Sequence, residues 1–317
     1  MKLDQMEQNQ RSASWPSILL SPWSMGIGAL GVSTSAILIG LSGASPGTAS
    51  FYRCALAALL LMPLVIFERR REGPPTNRQR LYASAAGLLF AGDALWWTQA
   101  IGEVGAGLST VLVNAQVVIV PLLALMVDRE PISRRFLALL PVMVIGIVLT
   151  GGVLERKAAG TDPVAGTIHA LLAAACYSGF LFLLRRGGSQ GHIVQSYQYV
   201  VTSAAAASLG AGYLWEGMTL TPGWAQFGWL LLVAFGGQVA GWLLVALASP
   251  HLPSEVGAAL LMLTPVGALA LGALVLDEHP SPLQLSGCAL ILAGAYLISH
   301  RAKRDESDRS GGARRSL

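Results

Sequence analysis

Apolar runs of roughly 17–25 residues recur along this chain from Met25 to Ser299, and each is long enough to cross a hydrocarbon layer about 30 Å thick. No other feature restricts the fold so much. In lipid every backbone N–H and C=O must be satisfied within the protein, so only helices and closed barrels cross. The runs are continuously apolar and rich in Leu, Ala and Gly, without the two-residue alternation of a barrel strand, which selects helices. Only 12% of the 317 residues are charged and 53% are hydrophobic, against about 25% charged in a typical soluble domain. The chain therefore reads as an all-α integral membrane protein.

Ten spans are expected, over 24–43, 47–67, 79–101, 104–126, 136–153, 165–184, 193–213, 226–248, 255–276 and 282–299. Pro46, the charged run Glu68–Glu72, Arg129-Glu130-Pro131, Arg185–Gly191 and Pro250–Pro253 punctuate them, as charge clusters, Gly and Pro do. The expected organisation is a polar cytoplasmic N-terminal segment over 1–23, a five-helix unit over 24–153 and an external linker over 154–164. A second five-helix unit over 165–299 and a basic, unstructured cytoplasmic tail over 300–317 complete it. Residues 1–14 are polar and mixed in charge, with no small-residue cleavage site after a short apolar core, so the first span is expected to stay as an anchor.

Basic residues then set an orientation. Of the 21 Lys and Arg, eighteen fall in the N-terminal segment, in alternate loops (Arg69–Arg71, Arg78, Arg80; Arg129, Arg134, Arg135; Arg185, Arg186) and in the tail. Arg156 and Lys157 lie on the other side and Arg53 lies inside a span. Such a bias places both termini in the cytoplasm, in the plasma (bacterial inner) membrane. The sequence pI of 9.1 thus reads as topology, and no nucleic-acid partner is expected.

An internal repeat adds a second constraint. At an offset of 148 residues Glu130 falls on Glu278, Ser133 on Ser281, Leu137 on Leu285 and Gly146 on Gly294. Five spans per half is an odd number, so the second half would be inverted, as in transporters that alternate access around a midplane site. The segments 114–149 (NAQVVIVPLLALMVDREPISRRFLALLPVMVIGIVL) and 264–298 (TPVGALALGALVLDEHPSPLQLSGCALILAGAYLI) resemble the EamA-like branch of the drug/metabolite transporter superfamily. Pro265, Glu278, Gly287 and Gly294 stand where that family's second repeat has them; the first half departs, with Val117 in place of Pro and a proline instead at Pro121. The resemblance covers residues 25–299. It implies two inverted five-helix repeats around a central cavity that moves small metabolites, often outward.

Polar residues inside the spans are the candidate site, because ionisable groups at membrane depth are costly and mark pathways or binding sites. At about 1.5 Å per residue, Arg53 lies ~9 Å and Asp93 ~12 Å below the same face. Their similar depth on consecutive helices suggests an ion pair, each charge alone costing roughly 2.5–3.5 kcal/mol. Two readings stay open. Arg53 takes a substrate carboxylate while Asp93 takes a proton or a substrate amine, or the pair simply locks two helices. Trp96 and Trp97 follow Asp93 by three and four residues and would either stack on cargo or sit in an interfacial belt. Asn114, Gln116, Gln238 and Thr264 lie near mid-span, where they line a cavity or join helices. Tyr177 is a further cavity candidate, since a buried hydroxyl needs a partner. Gln195, Tyr197, Gln198 and Tyr199 could form an inner gate or an aromatic belt. Gln99, His169, Glu130 and Glu278 read as solvated helix-end groups.

Several functions are not supported. Gly26-Ile-Gly-Ala-Leu-Gly31 matches a dinucleotide-binding string but follows no strand. No Walker-type motif is present, so neither an ATPase function nor an ATPase partner is indicated, and no cofactor is expected. Asp93 lacks a second intramembrane acid for a protease dyad, and Ser109 lacks a hydrolase context. Cys54, Cys176 and Cys288 have no metal spacing. The expected function is secondary transport of small organic molecules, amino acids or related compounds being the first candidates for export, with the lipid bilayer as surroundings and protons as a candidate coupling ion. An intramembrane enzyme using Asp93 and a non-transporting receptor or scaffold are the alternatives.

Overall fold

The computed structural model describes residues 19, 21–129, 132, 134–152, 154–155, 160–187, 192–215, 218–248, 252 and 254–297. The described residues form helices α1 (Pro22–Ser42), α2 (Pro46–Glu72), α3 (Asn77–Val104), α4 (Ala106–Val113), α5 (Gln116–Asp128), α6 (Arg134–Thr150), α7 (Pro163–Gly187) and α8 (Ile193–Trp215). They continue with α9 (Trp224–Leu232), a π-helix (Val233–Gly241), α10 (Trp242–Ala248), α11 (Ser254–Leu261) and α12 (Leu263–Val275), and with α13 (Pro282–Leu297). Grouped by continuity they make the ten expected spans, and five are long and apolar enough on their own to cross a membrane. Nearly all of the expected N-terminal segment and all of the tail lie outside the described residues, as does Glu130.

Local chemistry explains the boundaries. Ser21 and Ser45 cap α1 and α2, each followed by a proline at the first helical position, where a missing N–H costs nothing. Thr76 and Gln79 close a capping box on α3, satisfying otherwise orphaned amides. Gly43 ends α1 in the left-handed conformation (φ 57°).

Hydrogen bonds between connections show that successive spans alternate in direction. At one end Thr161 N donates to Glu103 O (2.8 Å), Thr219 N to Thr48 Oγ1 (3.0 Å) and Gln226 Nε2 to Ser42 O (3.1 Å). At the other, Gln195 Nε2 donates to Gly73 O (3.0 Å), and Arg186 pairs with Asp128. The second end carries the arginine-rich connections and is called the basic end; the first, with Glu103, Glu155, Asp162, Asp277 and Glu278, is the acidic end.

Among the described residues, three spans are not continuous α-helices. The fourth breaks at Asn114–Ala115 and the ninth at Met262, while the eighth passes through the nine-residue π-helix. The repeat offset of 148 carries α4, Ala106–Val113, onto α11, Ser254–Leu261, so both repeats break at corresponding positions. Among membrane-embedded elements, irregular backbone persists only where protein or a polar cavity surrounds it, and these breaks surround one.

Candidate functional site: a central polar cavity

A cavity of about 530 Å³ lies at the helix breaks. Its polar wall is made by Arg53, Asp93, Thr110, Asn114, Gln116, Tyr177 and Thr264, and its apolar wall includes Phe90, Trp97, Trp242 and Pro265. The break in the fourth span is built from tight turns: Asn114 N donates to Val111 O (3.0 Å) and Ala115 N to Leu112 O (2.9 Å). Asn114 Nδ2 donates to Thr110 O (3.0 Å), supplying a partner to a carbonyl near the irregular turn. Thr264, at the start of α12, donates to Ala29 O of α1 (3.2 Å).

Arg53 is the most elaborately held side chain. It is 5% exposed, and its Nε (3.1 Å) and Nη2 (2.7 Å) both donate to Oε1 of Gln238. Its guanidinium lies 5.4 Å from the Phe90 ring and 5.3 Å from the Trp97 ring, in the range of cation–π attraction. Nη1 is buried without a partner among the described residues. Gln238 is fixed in turn by Tyr197: its Nε2 donates to the Tyr197 hydroxyl (2.5 Å), which donates to the Gln238 carbonyl (3.0 Å). Tyr197 stacks on Trp242 at 5.5 Å. One connected unit thus joins α2, α8 and the π-helix behind the cavity wall.

The expected Arg53–Asp93 ion pair is not formed. Both residues line the cavity, but among the described residues no oxygen of Asp93 lies within 4.0 Å of Arg53, and Asp93 accepts no hydrogen bond. Depth along a helix gives height and not direction around the bundle, and Gln238, 185 residues away in sequence, takes the guanidinium instead. Gln238 itself is 2% exposed and stands behind the wall, not in it.

Other assignments also change. Trp97 lines the cavity, while Trp96 turns away to stack on His169 (5.0 Å, 14° between planes). His169 is no solvated helix end: its Nδ1 lies 2.6 Å from Glu103 Oε2, and Gln99 donates to the other carboxylate oxygen at 2.8 Å. None of Gln195, Tyr197, Gln198 and Tyr199 lines the cavity. Gln195 and Gln198 donate to Gly73 O and Ala58 O, and Tyr199 packs in an apolar cluster. Nor is Glu278 a free solvated group, since its carboxylate accepts from the Ala106 and Gly107 amides at the start of α4. The sequence reading missed Trp242, Phe90 and Thr110 as wall residues; only their position one or two turns from recognised polar residues could have pointed to them. The three cysteines are free.

A bundle of antiparallel apolar helices, broken where they surround a polar cavity, has the architecture of a membrane transporter. The comparisons then narrow the class. The model of the EamA-like transporter family matches residues 12–152 and again 164–300. One crystal structure of another protein aligns with a TM-score of 0.59 at 17% identity, over 87% of this chain and 96% of that one, a likeness of fold alone. Among curated proteins none matches. The chain belongs to the EamA-like transporter family, within the drug/metabolite transporter superfamily, and is a multi-pass membrane protein and not a member of an enzyme family.

Proposed function

We propose that the chain is a secondary exporter of amino acids or related small metabolites, alternating access between its two halves, with Asp93 as the candidate proton carrier. One observation carries the reading. Among the described residues, Arg53 has one donor without a partner and Asp93 accepts no hydrogen bond, and both line the same cavity. Opposite charges that leave each other unpaired at low dielectric suit a ligand bearing both a carboxylate and an amine. The volume lies within the usual range for small-molecule sites, about 300–1,000 Å³. Arg129, Arg134, Arg185 and Arg186 at the basic end support a cytoplasmic location for that end and for both termini, in the plasma (bacterial inner) membrane.

Counterflow in proteoliposomes against a panel of labelled amino acids and amine-bearing metabolites tests the reading. Exchange is expected for at least one zwitterion and is expected to collapse in R53Q. D93N is expected to flatten the pH dependence. A parent protein that exchanges none of the panel, or an R53Q variant with parental exchange, overturns it.

A further inference from the structure

The cavity is sealed unevenly. At the acidic end, every residue of α4 except Val113 is buried, and α4 packs against α12, with Gly107 over Leu269. Ile37, Ile101, Ala106, Leu230 and Ala268 form an apolar plug there, with Leu276 and the cavity residue Trp97 packed against it. At the basic end the other half of the same span behaves differently: in α5 only Val118 and Ala124 are buried. Among the described residues, no packing comparable to that of α4 on α12 joins α5 to α11. Among the described residues, the cavity is thus closed toward the acidic end by contacts that have no counterpart at the basic end.

One polar contact holds this seal. Both carboxylate oxygens of Glu278 accept backbone N–H groups at the start of α4: Oε1 from Ala106 (2.5 Å) and Oε2 from Gly107 (3.0 Å). These amides have no partner within their own helix, and an anion is favoured at the positive end of the helix dipole. The cradle is shaped for the carboxylate. A Cβ on Gly105 would stand 2.7 Å from Oε1, one on Gly107 3.1 Å from Oε2, and one on Gly272 would collide with Oε2. The chain is bent to deliver the acid: Asp277 adopts φ 55°, and Glu278 N returns to Gly272 O at 3.1 Å. Glu278 belongs to the second half of the chain and α4 to the first, so the contact spans the two halves that must part on this side.

We propose that Glu278 is the latch of the acidic-end gate: its carboxylate must leave the Ala106 and Gly107 amides before the cavity opens to that side, and this contact sets the balance between the two access states. The proposal rests on the alternating-access reading above. The seal joins halves, is bidentate and charged, and is made by exchangeable groups: the contact is only part-buried, so water can take the carboxylate's place on the amides once the halves part.

Accessibility of a cavity cysteine tests it without any substrate. In a background with Cys54, Cys176 and Cys288 replaced by serine, V113C on the cavity wall is labelled by a membrane-impermeant maleimide in sealed vesicles of known orientation, the reagent being added on one side at a time. In the parent, labelling is expected from the basic-end side. In E278A and in E278Q, which keeps the side-chain volume, labelling from the acidic-end side is expected to rise about tenfold or more, as loss of charge-assisted hydrogen bonds shifts a two-state balance. G272A, which keeps the acid but crowds its cradle, is expected to move the same way. Parental labelling in folded, monodisperse E278Q and G272A overturns the latch, whatever becomes of E278A. A parent reporter labelled equally from both sides overturns the alternating-access reading itself.

Discussion

Replacing Gln238 with leucine isolates the support of Arg53 from everything else in the cavity. The substitution keeps the volume and removes the one oxygen that accepts from both Nε and Nη2 of Arg53, and the amide that donates to Tyr197. Nη1 is already without a partner among the described residues, so the guanidinium, 5% exposed, loses both of its hydrogen bonds there. Each charge-assisted bond is worth about 1.5–3 kcal/mol. Because the two converge on one oxygen they do not add fully, and breaking the support of a buried charge typically costs about 3–5 kcal/mol. The expected loss is therefore about 3–5 kcal/mol, at least a hundredfold in the unfolding equilibrium. Denaturant titration of the purified protein in mixed micelles, followed by tryptophan fluorescence, reads it. Q238E separates stability from binding: it loses the amide that donates to Tyr197 but keeps the acceptor for Arg53 and adds a charge opposite it, so a smaller loss of stability than in Q238L is expected while affinity for a carboxylate ligand falls. A Q238L protein within about 1 kcal/mol of the parent would refute the reasoning, because no unrecovered hydrogen bond to a buried charge is that small.

Four other outcomes are expected. G87A puts a methyl group onto Ser203 Oγ and the Val200 carbonyl at the α3–α8 crossing and should lose about 1–3 kcal/mol; G210A, with nothing within 4 Å, should not, and thermal unfolding in detergent compares them. Glu68 accepts from Val194 N (3.1 Å) and Gln195 N (2.8 Å) at the start of α8, so E68A should cost about 0.5–2 kcal/mol, as lost helix caps do. W97A should weaken ligand binding, measured by titration of purified protein, whereas W96A should leave affinity unchanged and lower the unfolding temperature, since Trp96 stacks on His169 outside the cavity. T110V removes a hydroxyl bonded to Ala106 O (2.7 Å) and should alter stability little, as one neutral bond is worth about 1 kcal/mol.

The spans, their order and the repeat were legible in the sequence because they depend on properties local to the chain. Apolar length determines whether a segment crosses lipid, and the 148-residue offset, read from a handful of identities such as Glu130 and Glu278, placed the two broken spans in register before either break was visible. Polar side chains inside apolar spans likewise marked Arg53, Asp93, Asn114, Gln116, Tyr177, Gln238 and Thr264 as residues with no reason to face lipid, and all of these but Gln238 line the cavity. Which of them touch was decided only by tertiary structure. Arg53 finds Gln238 across 185 residues and Glu278 finds Ala106 across 172, because helix rotation and the π-helix of the eighth span set the direction of each side chain around the bundle. A one-dimensional pattern carries depth; the azimuth, and with it every partner in this cavity and at its gate, comes from how the helices pack.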